Sequence, residues 1–192
     1  MILKALLGSH VKTGKSPEAG PLLEIFRKSL VETLENDAAN KDVVGFKSIV
    51  CYRTGLDVAL SNSVEEQEQA LLEIFGQYVK TGSLRLKHKP LNDEVVRITL
   101  TVAGNHNKPG NETSEIVTDN IIDICRPVQF HTGLGDSDII LRLSSPAYMQ
   151  PIIEGFPRTT FVLLHSSYPY TQEAGYLTAM YENVFLDFGE VR

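Results

Sequence analysis

The last third of the chain switches repeatedly between two periodicities, and this constrains the fold more than any other feature. Three short apolar runs, at 128–131, 160–165 and 184–188, read as buried strands. Segments 146–156 and 172–181, which lie between them, carry helical spacing. Strands alternating with helices through short connections predict a parallel α/β sheet or barrel. A fourth strand is expected earlier, where V-V-G-F-K-S-I-V-C at 43–51 is β-branched and mostly apolar, as suits burial on both faces.

The helices upstream have clear start and stop signals. Leu23, Phe26, Leu30 and Leu34 recur at helical spacing behind Pro21, predicting a helix over 21–35. Ser63 and Glu66 have the spacing of a capping box. The helix they open places Leu71, Leu72, Phe75, Tyr78 and Val79 on one side and stops near Gly82. A further helix spans 90–103, with Leu91, Val95, Ile98 and Val102 in register. Four strands fall short of the eight that close a barrel of this kind in roughly 250 residues. Segment 110–126 breaks the rhythm. It is polar and rich in Asn and Asp, where a helix-to-strand connection usually takes about 2–6 residues. We expect a surface insertion, and an in-frame retained intron is one origin for it.

Composition narrows the function. Of 192 residues, 42% are apolar and 22% charged, which predicts an ordinary soluble domain or a large part of one. The net charge of −6 argues against nucleic acid, whose phosphates need a basic face. No apolar run reaches membrane-spanning length, so no membrane partner is expected. The opening M-I-L-K-A-L-L-G contains a lysine and lacks a small-residue cleavage site, so it does not read as a signal peptide. Cys51 and Cys125 are isolated, which suits a reduced cytoplasmic protein. The glycosylation sequon at Asn111 carries little weight without secretion. Gly8 and Gly14-Lys15-Ser16 are separated by five residues where a phosphate loop needs four, and that reading is rejected.

Two histidines, His131 and His165, end consecutive expected strands. The carboxyl ends of parallel strands converge on one mouth, where rim side chains can share a pocket. A single histidine in such a place is more often a packing or solvent-facing residue. Two at matching positions raise a common metal ion as an equal alternative, because neutral imidazole is a good ligand for zinc and similar ions. Glycines after His131 allow close backbone approach, and the nearby aspartates could orient a water or a ligand ring. Arg53 sits at the rim after the 43–51 strand, suited either to a substrate carboxylate or simply to solvent. Asp136, Asp138 and Glu190 also follow strand ends. Lys47 is expected mid-strand, about four residues before the carboxyl end near Cys51, which is too far back for an obvious ligand.

Four stretches carry a resemblance to a known family. They are V-G-F-K-S-I-V-C-Y-R-T-G-L from Val44, Q-F-H-T-G-L-G-D from Gln129, F-V-L-L-H-S-S-Y-P from Phe161 and F-L-D-F-G-E-V from Phe185. Together they resemble the amidohydrolase-related (amidohydrolase 2) family. They are most similar to the amidohydrolase domain that fungal and plant proteins fuse to a glutamine-synthetase-like domain. The resemblance covers most of 40–192. It implies a (β/α)₈ barrel of the metal-dependent hydrolase type, of which this chain carries about strands four to seven, with 1–192 forming a partial domain. It also implies a divalent metal, zinc foremost, at the carboxyl mouth, with His131 and His165 matching the histidines that end strands five and six. Arg53 and Asp136 are then expected at the substrate. A metal-activated water would hydrolyse C–N, amide-type bonds of a small molecule, although some relatives decarboxylate.

The departures from the family pattern set the second expectation. No H-x-H pair of the kind the family's first strand carries occurs anywhere in the sequence. The chain stops just after the expected seventh strand, before the aspartate that ends the eighth. A truncated, inactive partial barrel, from an incomplete gene model and associating with its own copies, is therefore the alternative to an active hydrolase.

Overall fold

The computed structural model describes residues 2–13, 16–106 and 126–189. The segment 110–125, with Cys125 and the sequon, lies outside the described residues, as does Glu190. Six helices and four strands are described: α1 (Ile2–Thr13), α2 (Ala19–Ala39), β1 (Phe46–Ser48), α3 (Val64–Thr81), α4 (Lys89–His106), β2 (Val128–Phe130), α5 (Gln150–Gly155), β3 (Phe161–Leu163), α6 (Thr171–Met180) and β4 (Val184–Leu186). Helix α1 was not anticipated as an element. Its Leu3 and Leu7, one turn apart, are buried against α2 and its neighbours.

The four strands lie in chain order β1-β2-β3-β4, every pair parallel. Consecutive parallel strands with helices returning over one face form an α/β fold, a partial (β/α)₈ barrel. The covered face is the main core. Val128, Phe130, Phe161, Leu163 and Val184 point into it and meet Leu100, Ala103, Ile152, Ile153 and Leu177. The other face is open. Its central row runs Lys47, Gln129, Val162, Phe185 across the sheet in register, and Phe185 keeps 54% of its surface exposed.

Every expected strand is real but shorter than the apolar run that announced it, and each boundary has a local cause. At the start of β1, Gly45 passes so close to Pro127 that an added Cβ would lie 2.8 Å from the Pro127 carbonyl oxygen. After Ser48 the chain leaves the extended region at Ile49 and tightens into a 3-10 turn, Val50–Tyr52. Lys47 is therefore one residue from the carboxyl end of β1, not mid-strand in a long element. It is exposed and lines a cavity of about 650 Å³ with Arg53, Asp138 and the apolar side chains of α4. After Leu164 the chain enters the left-handed region at His165, which ends β3.

The remaining helices form a second apolar cluster, with Leu22, Leu23, Phe26, Leu71, Ile74 and Leu91 buried among α1 to α4. The capping box at Ser63 is formed in both directions, and Gly82 closes α3 at φ 66°. Arg126, the last residue of the expected insertion, is buried and donates to the carbonyls of Ala38 (3.0 Å) and Asn40 (3.2 Å) at the end of α2. A guanidinium there meets the negative end of the helix dipole. Among the described residues no helix is long and apolar enough to cross a membrane.

Candidate functional site

Each strand of the sheet sends a polar side chain to its carboxyl end. Tyr52 closes the turn after β1, His131 follows β2, His165 follows β3 and Asp187 follows β4. The His131 and His165 rings are 4.6 Å apart between centroids, and His131 Nδ1 lies 3.3 Å from His165 Nε2. Tyr52 packs on the other side of His131, with ring centroids 4.7 Å apart and its hydroxyl 3.0 Å from His131 Nε2. The same Nε2 sits in close contact with the Leu134 carbonyl oxygen.

That carbonyl contact favours one tautomer of the ring. A carbonyl oxygen only accepts, so the contact suits a hydrogen on Nε2, which leaves Nδ1 as the acceptor side of the neutral ring. That side faces His165. Metal-binding histidines are typically held this way, with the second ring nitrogen donating to a carbonyl or carboxylate.

The turn that carries His165 is strained. His165, Ser166 and Ser167 all have positive φ, at 61°, 48° and 52°. Non-glycine residues in this region cost roughly 1–2 kcal/mol each, so neighbouring bonds must hold them. Asp187 supplies two of these bonds. Its carboxylate accepts from the His165 backbone N–H at 3.2 Å, and its carbonyl accepts from Ser166 N–H at 2.7 Å. Thr132 supplies two more, with its hydroxyl 2.7 Å from Ser167 Oγ and 2.9 Å from the Leu164 carbonyl. The glycines of H-T-G-L-G-D now have separate reasons. Gly133, at φ 63°, lies against the Ser167 carbonyl where any Cβ would collide. At Gly135 a Cβ would strike the Tyr52 hydroxyl.

Beside this cluster a cavity of about 280 Å³ is lined by Ile49, Tyr52, Arg53, His131, Asp136 and Asp138. Two candidate substrate residues, Arg53 and Asp136, are thus brought onto one wall system with His131. His165 stands behind His131, away from that lining. Burial pushes the Tyr52 phenol above its ordinary value, so it stays protonated at neutral pH. Among the described residues no group of three or more His, Cys, Asp or Glu side chains gathers to hold a metal. The pair His131 and His165 is what the site offers.

Tyr52 and Asp187 were not singled out from sequence. Both stand inside motifs that were, and the missing step was the strand length. Counting the rim from Ser48 would have put Tyr52 on it.

A half-barrel of parallel strands with a histidine cluster at its carboxyl rim belongs to the class of α/β barrels, which build their sites at that face. Residues 121–192 match the family described as Amidohydrolase. The protein fluG of Emericella nidulans is 42% identical over 173 residues, which is 88% of this chain and 18% of that one. Among solved structures, a candidate metal-dependent hydrolase of Lactobacillus casei ATCC 334 superposes with a TM-score of 0.63 at 26% identity, covering 97% of this chain and 42% of its own. The amidohydrolase match lies in residues 121–192, and the chain spans less than half the length of either relative.

Proposed function

We propose that this chain carries part of a metal-dependent hydrolase site, with His131 and His165 as the ligands it contributes and a small amide-type molecule as substrate. The 3.3 Å between His131 Nδ1 and His165 Nε2 carries the reading. Two imidazole nitrogens on one tetrahedral zinc, at ~2.0–2.1 Å each, stand about 3.3–3.4 Å apart. The Leu134 carbonyl beside His131 Nε2 favours the same assignment. Nitrogen donors suit zinc over magnesium or calcium. When bound, such an ion supplies water of lowered pKa, the nucleophile for a C–N bond.

Arg53 and Asp136 sit at the substrate cavity, where they can orient a polar ligand. Cys51, a buried free thiol, fits a cytoplasmic setting. Zinc titration of the apo chain tests the site. Binding near one ion per chain, lost in His131→Ala and in His165→Ala, is expected. A chain that binds no zinc, or binds it equally well without either histidine, sinks the assignment.

A second reading, an inactive partial barrel that self-associates, is favoured by the open inner row and the exposure of Phe185. Light scattering after gel filtration separates the two. A monomer with zinc bound leaves only the first.

A further inference from the structure

We propose that the 650 Å³ cavity beside β1 holds the far end of the substrate, and that this end is a carboxylate on an apolar body. The proposal deepens the hydrolase reading and rests on it for the reaction, whereas the anion site stands on its own observations. The first is contiguity. Ile49, Arg53 and Asp138 line both this cavity and the 280 Å³ cavity beside His131, so the two adjoin across those three side chains. The second is the distribution of charge. On the shared wall Arg53 and Asp138 offset one another. Lys47 and Arg85 line only the larger cavity, and Asp136 only the smaller. The larger chamber is therefore the cationic one, in a chain whose net charge is −6.

Lys47 and Arg85 make no ion pair among the described residues, whereas Arg27, Lys89 and Arg97 on α2 and α4 each hold a carboxylate within 2.9 Å. An anionic group entering the double chamber is drawn toward Lys47 and Arg85 and away from Asp136, which leaves the amide end of the ligand beside His131. The third observation is the lining. Leu84, Leu86, Val95, Val96 and Phe130 give the larger cavity apolar walls, so an organic anion fits it better than an inorganic one. One wall is tied in place. Asn92, itself buried, donates from Nδ2 to the carbonyls of Leu86 (3.1 Å) and His88 (3.3 Å), which fastens the segment carrying Leu84 and Leu86 to α4. Lys47 and Arg85 are exposed, so each contributes modestly, and together they should give about tenfold in affinity.

The test titrates phenylacetate, and phenylacetamide as its uncharged counterpart, into the zinc-free chain with methyl-labelled valine and leucine. The acid should shift the Val95 and Val96 methyl signals and bind about tenfold more tightly than the amide. In Lys47→Gln with Arg85→Gln that preference should vanish, with amide binding and the urea midpoint unchanged. Three results overturn the proposal: no preference for the acid in the wild-type chain, a preference that survives in the double variant, or shifts confined to methyls outside the cavity. Zinc titration of the wild-type chain separates this proposal from the metal assignment. A chain that prefers the acid but binds no zinc loses the metal and keeps the anion site. A chain that binds zinc without preferring the acid keeps the metal and loses the anion site.

Discussion

Phe161 and Phe185 stand on adjacent strands of one sheet and have opposite surroundings. Phe161 is fully buried under the helices, whereas Phe185 is 54% exposed on the open face. The rim of the same strands differs again, because there the side chains are polar and cross-linked and the backbone is strained. The covered face is where burial of apolar area supplies stability. The rim spends backbone strain to hold Tyr52, His131 and His165 in one place. Stability and chemistry are thus assigned to different faces and ends of the same three-residue strands.

The sharpest way to break that division is at the rim. His131→Ala with His165→Ala should weaken zinc by more than the roughly 10–100-fold that loss of a supporting partner costs, with the urea midpoint little changed. A large loss of stability would show that the pair is structural.

Next in size is the comparison of the two phenylalanines. Phe161→Ala should lose about 3–5 kcal/mol in urea unfolding. Phe185→Ala should stay within ~0.5 kcal/mol. Similar losses would mean that the open face is covered in solution, as self-association requires.

Cys51 tests whether the rim is soft throughout. Burial pushes its thiol from an ordinary 9.0 up to about 12. The unfolded chain releases this proton near pH 9 while the folded one keeps it, so stability falls as pH rises from 9 to about 12. The slope is at most about 1.4 kcal/mol per pH unit. Cys51→Ala should remove that component of the alkaline slope, measured by denaturation at stepped pH. An unchanged slope would place the thiol in contact with water.

The smallest effect lies far from the rim. Ser63→Ala removes the side-chain acceptor for Glu66 N–H at 3.1 Å and should cost about 1 kcal/mol with no change in zinc binding. A shift in zinc affinity would couple α3 to the rim, which the division above excludes.

Local sequence rules went furthest where the cause is local. The capping box at Ser63, the stop at Gly82 and the order of strands and helices were legible because neighbouring residues set them. Strand lengths were not legible. Apolar runs at 43–51 and 160–165 mark burial, and buried residues continue past the ladder into 3-10 and left-handed turns. This is why Lys47 looked mid-strand and Tyr52 was overlooked.

By itself the sequence determined the α/β class, the family resemblance and the two histidines, since periodicity and motif spelling are properties of the chain alone. Only the tertiary structure decided what the histidines face. The carbonyl of Leu134, the carboxylate of Asp187 and the hydroxyls of Tyr52 and Thr132 come together because four strands end at one level. Side-chain contacts depend on partners distant in sequence, so which partner faces each ring nitrogen of His131 could be read only after folding.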